Sequence, residues 1–235
     1  MEGSPAERDP APREKAMLKI LQNLLDFVWP QFCLGCKTEG ILCCGFCLND
    51  VLLEEIAQID WPDKKDFHFD ACYICCDYKN KLVQKIIKNY KYGYLENMAD
   101  LLVDILEKQS RRLNLPKDII ISNVPLHKRK QKIRGFDQTA ILAKKLSERL
   151  ELAYNPLLKR TKHTQAQAQL SKTERQKNMA DAFEILEAAP SCARRRTSVL
   201  MIDDVTTTGS TLDQAAKTLK QAGWENIYCL AIAKN

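Results

Sequence analysis

One stretch constrains this chain more than any other: Val199 to Leu212, Val-Leu-Met-Ile-Asp-Asp-Val-Thr-Thr-Thr-Gly-Ser-Thr-Leu. Val199 to Ile202 form a continuous apolar run rich in branched residues, which reads as a strand buried on both faces of a parallel sheet. Asp203 and Asp204 then fall at the carboxyl end of that strand, where open α/β sheets bind ligands. Thr206, Thr207, Thr208, Gly209, Ser210 and Thr211 predict a turn at a helix N-terminus, with backbone N–H groups facing an anion. Gly209 removes the Cβ where backbone and anion approach. Two carboxylates suit ribose hydroxyls, directly or through Mg²⁺. Together these parts fit a sugar phosphate.

Neither a Walker A lysine nor a Gly-x-Gly-x-x-Gly occurs in the stretch. The motif resembles instead the phosphoribosyl pyrophosphate (PRPP) signature of type I phosphoribosyltransferases.

The cysteines define a second feature. Five of the ten crowd between Cys33 and Cys47. Cys33-Leu-Gly-Cys36 and Cys44-Gly-Phe-Cys47 are two C-x-x-C knuckles, a pattern that predicts one structural Zn²⁺ held by Cys33, Cys36, Cys44 and Cys47. Gly35 and Gly45 are expected to supply the tight turns. Cys43 lies next to the second knuckle and could replace Cys44; the x-x spacing favours Cys44. Cys72, Cys75 and Cys76 do not share one strand parity, so they read as small buried hydrophobes. His68, His127 and His163 are far apart and support no hydrolase pattern.

The chain divides by composition. Residues 1–16 are rich in Pro and charge and read as a disordered tail without the marks of a signal peptide. Residues 17–60 hold a helix ending at Pro30, the cysteine module and a trailing helix from Leu48 to Ile59. Residues 61–80 hold a linker and a first strand, Phe67 to Tyr78. Residues 81–235 read as one larger domain. Helices are expected over Leu82–Tyr90, Leu95–Glu107, Thr139–Leu150 and Ser210–Ala222, the last closed by Gly223. Strands are expected over Ile119–Val124, Ala182–Leu186, Ser198–Ile202 and Ile227–Ala233. Their alternation predicts an α/β fold with a mainly parallel sheet flanked by helices.

The formal net charge is +6. Lys128, Arg129, Lys130, Lys132 and Arg134 form one basic block; Lys159, Arg160 and Lys162 form another, and Arg194 to Arg196 a third. Such blocks favour pyrophosphate or nucleic acid. No stretch approaches the roughly 20 apolar residues of a membrane span.

Three further segments complete the pattern. One runs from Asn123-Val-Pro-Leu-His127 to Arg134-Gly-Phe-Asp-Gln138. The second includes Arg160, Thr164, Gln167, Arg175, Asn178 and Phe183, and the third is Lys91-Tyr92-Gly93. With the knuckles and the acidic motif, in this order, the chain resembles the ComF family over roughly residues 20 to 235. The resemblance implies a zinc-ribbon module joined to a type I phosphoribosyltransferase-like domain. It implies a cytoplasmic role in handling single-stranded DNA during natural competence, with a competence helicase and a recombination mediator among the partners. It also implies a PRPP site. Asp203 and Asp204 would take ribose hydroxyls and Mg²⁺, and the Thr206–Thr211 loop the 5-phosphate. Pro125, Arg134, Arg160 and Arg175 would line the pyrophosphate side, with the segment from Arg160 to Arg175 as a lid. An active phosphoribosyltransferase, amidophosphoribosyltransferase-like or serving nucleotide salvage, is the other reading. No general base or acceptor can be named. Asp137 stands where the family commonly has Asn, which would either weaken pyrophosphate binding or hold Arg134 in place.

Overall fold

The structure, a computed structural model, describes residues 31–52, 57–58, 67–92, 96–161, 182–186 and 198–235. The expected tail and first helix, the linker residues 61–65, Gly93, Lys162, His163, Thr164, Gln167, Arg175, Asn178, Cys192 and Arg194 to Arg196 lie outside them. Two compact units divide the chain, Met1–Cys47 and Leu48–Asn235.

In the larger unit a five-stranded sheet is built from β1 (Ala57–Gln58), β2 (Ala71–Asp77), β3 (Ile119–Asn123), β6 (Ser198–Thr206) and β7 (Ile227–Lys234). Its spatial order is β1-β2-β7-β6-β3. The last four strands run parallel, and β1 pairs antiparallel with β2 at one edge. The predicted α/β class with a mainly parallel sheet is therefore what this chain adopts. At the opposite edge the segment after α5 (Gln138–Leu150) covers β3. Ile121 N–H donates to Ala153 O at 2.8 Å, and Asn155 N–H donates to Ile121 O at 2.9 Å.

The parallel strands are buried on both faces, with side chains alternating between them. Val199, Met201, Cys229, Ala231, Cys72 and Ile74 pack on one side against Leu212, Ala215, Ala216 and Leu219 of α6 (Ser210–Gln221). Helices α3 (Glu96–Ser110) and α5 pack on the sheet outside that cluster. Helix α2 (Lys81–Tyr92) buries Val83, Ile86, Ile87 and Tyr90, one face at helical spacing. Asn80 opens it by accepting from Leu82 N–H at 2.8 Å. Cys72, Cys75 and Cys76 are all buried, as small hydrophobes in the sheet.

Several expectations need correction. Ala182–Leu186 does contain a strand, β5 (Phe183–Ile185), but it leaves the main sheet and pairs antiparallel with β4 (Leu158–Arg160). Strand β6 continues past Ile202 to Thr206, because Asp203, Val205 and Thr206 keep pairing with β7. The basic block forms a short helix, α4 (Lys128–Arg134), opened by His127 and closed by Gly135 in the left-handed region at φ 83°. The helix expected over Leu48–Ile59 is instead α1 (Gly45–Val51), followed by β1. Gly35 and Gly45 do not adopt positive φ; Lys37 and Gly40 take the left-handed turns of the module.

Candidate functional site

In the smaller unit the sulfur atoms of Cys33, Cys36, Cys44 and Cys47 all lie within 4.8 Å of one another. A tetrahedral site with Zn–S bonds of about 2.3 Å needs sulfur separations of roughly 3.8 Å, and Cys36 Sγ stands 3.6 Å from Cys44 Sγ. The four cysteines are placed to hold a metal ion such as zinc, which there would tie the module together. A backbone bridge between Phe32 and Glu39 closes the first knuckle. Cys44 N–H points at Cys33 Sγ and Cys47 N–H at Cys44 Sγ, the donor pattern that thiolates favour. Burial presses the Cys33 thiol upward, but N–H donors from Cys44, Cys36 and Gly35 outweigh it and bring it to about 6. Cys43 turns away toward the Cys44 carbonyl, and burial with the neighbouring thiolates pushes it up to about 12. Cys44, not Cys43, joins the cluster.

The second site lies in the larger unit, at the carboxyl end of β6. Asp203 and Asp204 are both buried. As consecutive strand residues they project to opposite faces. Asp204 Oδ2 accepts from Gln138 Nε2 at 2.6 Å and pairs with Lys91 Nζ at 2.9 Å. Gln138 is the first residue of α5, and Lys91 lies in the last turn of α2. The Tyr90 hydroxyl donates to Gln138 O at 2.8 Å. Gln138 Oε1 is buried with no hydrogen-bond partner. Burial alone would raise the Asp204 carboxyl, yet Lys91, Gln138 and Arg134 hold it below its ordinary value. Asp203 goes the other way, up to about 7: burial and the Asp204 charge exceed the help from the Asp204 N–H, Lys91 and Arg160.

Cations surround the pair. Arg134 lies over the Tyr92 ring at 5.5 Å, and Arg160 over the Phe183 ring at 5.4 Å. Lys130 is half-buried; desolvation, then Arg160 and Arg134, push its ammonium below its ordinary value. The block on α4 is thus split: Lys130 and Arg134 act on the acidic pair, while Lys128, Arg129, Lys132 and Ile133 face solvent or stand near it. Next to the pair, Gly209 has φ 74° and precedes α6. Thr208 Oγ1 lies 2.7 Å from Ser210 Oγ and takes Ser210 N–H at 3.4 Å. The first N–H groups of such a helix have no acceptor within it, so this end favours an anion. Thr206 belongs to the strand, and Thr207 is exposed at the loop tip, ahead of Thr211 in the helix's first turn.

Asp137 is engaged locally, by groups of its own loop and of the helix that follows. Its Oδ1 accepts from Ala140 N–H and Thr139 Oγ1, and its Oδ2 accepts from Leu126 N–H at 2.9 Å. It caps α5 and clamps the loop holding buried Pro125, while Arg134 is held by Tyr92 instead. Lys91 and Gln138 are the site residues that sequence reading did not single out. Both occur in the family-like segments, but only the folded chain brings them to Asp204.

A mainly parallel α/β domain, an acidic pair ringed by cations and a separate four-cysteine cluster define the class of this chain. It is similar to competence protein F of Haemophilus influenzae, 38% identical over 128 residues, 54% of each chain. It is also similar to DNA utilization protein YhgH of Escherichia coli strain K12, 33% identical over 134 residues, 55% of this chain and 56% of that one. The ComF resemblance is thereby supported. The matched region spans about half the length of these curated relatives. No protein-family model matches. Among solved structures, an allosteric regulatory enzyme of purine biosynthesis aligns at 15% identity over 62% of this chain and 30% of that one, with a TM-score of 0.41. Adenine phosphoribosyltransferase from Leishmania tarentolae aligns at 12% identity over 70% and 91%, also at 0.41. At those scores the fold is read from the strand order and the site from its residues. Among the described residues no helix is long and apolar enough to cross a membrane.

Proposed function

We propose that the larger unit binds a ribose phosphate, PRPP with Mg²⁺ in its fullest form, and that the chain handles single-stranded DNA in the cytoplasm during natural competence. One observation carries the ligand reading: buried hydroxyl acceptors, Asp203, Asp204 and Gln138 Oε1, lie among Lys91, Lys130, Arg134 and Arg160. Acceptors grouped this way call for the hydroxyls of a sugar, and the cations call for phosphate. The α6 N-terminus behind Gly209 supports a further phosphate. Mg²⁺ would neutralise pyrophosphate oxygens; Asp203 and Asp204 would orient the ribose, and Arg134 and Arg160 would meet the leaving group if one leaves. The DNA reading is supported by the names of the two relatives and by the outer cations of α4, Lys128, Arg129 and Lys132. The cysteine module would be a docking surface; Phe46 on it is 82% exposed.

Calorimetric titration of PRPP with Mg²⁺ into wild type and Asp204→Asn tests the ligand reading. Saturable binding lost in the variant is expected. No binding to wild type refutes it. Steady pyrophosphate release with a base or amine acceptor would convert the reading into an active phosphoribosyltransferase, which the intact acidic pair also suits.

A further inference from the structure

Acidic pairs at strand ends are natural magnesium ligands, but this pair is differently placed. Mg²⁺ binds through one or two carboxylates and keeps most of its water, so a cation already paired with the carboxylate competes with it. Asp204 Oδ2 already accepts from Gln138 Nε2 at 2.6 Å and pairs with Lys91 Nζ at 2.9 Å. Neither partner is a loose surface group. Gln138 is 2% exposed and opens α5, and its backbone carbonyl oxygen accepts from the Tyr90 hydroxyl. Tyr90 is 2% exposed and adjoins Lys91 in α2. The last turn of α2 therefore fixes both ends of the arrangement: Tyr90 anchors Gln138, and Lys91 completes the pairing on Asp204.

The wider field points the same way. Lys91, Lys130, Arg134 and Arg160 all act on the two carboxylates or on one another. Four cations facing two carboxylates repel a bare divalent cation and attract a polyanion.

We propose that Lys91 is the built-in counter-cation of Asp204, so that the acidic pair takes no free divalent metal. This does not rest on the ribose-phosphate reading. Lys91 is thus a specificity-determining residue that keeps a bare metal ion off the pair.

The test uses Mn²⁺ alone as probe, followed by electron paramagnetic resonance on the full chain with its cysteine site loaded with zinc. Wild type and Asp204→Asn are expected to bind Mn²⁺ alike. Lys91→Met is expected to gain a site at least roughly tenfold tighter than any in wild type, and the double variant Lys91→Met/Asp204→Asn to lose it. Lys91→Arg is expected to behave as wild type. A wild-type Mn²⁺ site that Asp204→Asn abolishes overturns the proposal, as does a folded Lys91→Met that binds no more tightly than wild type. If Lys91→Met fails to fold, the comparison of wild type with Asp204→Asn decides alone.

Discussion

Asp137→Ala should be costly, because Asp137 joins two parts of the fold through three hydrogen bonds. Its carboxylate accepts from Ala140 N–H and the Thr139 hydroxyl at the start of α5, and from Leu126 N–H in the loop after β3. Losing an N-cap costs about 1 kcal/mol. Losing the carboxylate from a backbone N–H costs about 1.5–3 kcal/mol, less where water can enter. The sum for this half-exposed site is about 2–4 kcal/mol, or about 5–15 °C in Tm for a chain of this size. Asp137→Asn should keep the cap through its oxygen but turn an amide N–H toward Leu126 N–H, for about half the loss. The assay is thermal unfolding by circular dichroism with denaturant titration alongside. A change below about 0.5 kcal/mol for Asp137→Ala refutes the clamp. So does Asp137→Asn if it leaves stability intact while tightening binding of pyrophosphate, which would mean that the charge acts on the anion. Because α5 begins at Gln138, loss of the cap should also loosen the group that holds Asp204.

Three other outcomes follow from the same geometry. Metal analysis of chelator-free protein should find one zinc per chain, lost in Cys44→Ser and kept in Cys43→Ser; the reverse pattern would reassign the ligand. Lys128, Arg129 and Lys132 changed together to alanine should weaken single-stranded DNA binding and flatten its salt slope by up to about 2; unchanged affinity and slope would remove α4 from the DNA surface. Asp203 is raised by burial and by Asp204, so its contribution to stability is full below its unfolded value near 4 and fades as pH rises through about 7. Asp203→Asn should therefore gain stability on wild type at pH 8 and not at pH 4, read as Tm against pH; equal curves would show that Asp203 is not strained.

The run from β6 through α6 to β7 was legible because each part carries its own signal. Val199 to Ile202 are apolar on both faces, Gly209 and Gly223 mark the helix ends, and Ile227 to Ala233 repeat the buried pattern. Other parts carry no such signal. Strand β4 has three residues, too few to show a period. Helix α4 buries nothing and is defined by its ends, the His127 cap and Gly135. The strand near Phe183 was visible, but its pairing with Leu158–Arg160 was not, since periodicity names no partner. Helix α1 begins earlier than its apolar pattern because backbone N–H groups of the second knuckle turn onto sulfur. At the site, the acidic pair was read from local sequence, whereas Lys91 and Gln138 reach Asp204 only through the packing of α2 and α5.

The margins of the main sheet have a consequence for how the chain behaves among copies of itself. A bare outer strand is a template on which another chain can add a strand. Here both templates are interrupted. The pair Ala57–Gln58 lies against Tyr73 and Ile74 of β2, and the stretch from Ala153 to Asn155 uses the outward N–H and C=O of Ile121 on β3. These few residues lie against β2 and β3, which are largely buried. Shortening the chain between α1 and β2, or between α5 and β4, would open a growth point for intermolecular strand pairing while leaving the acidic pair untouched.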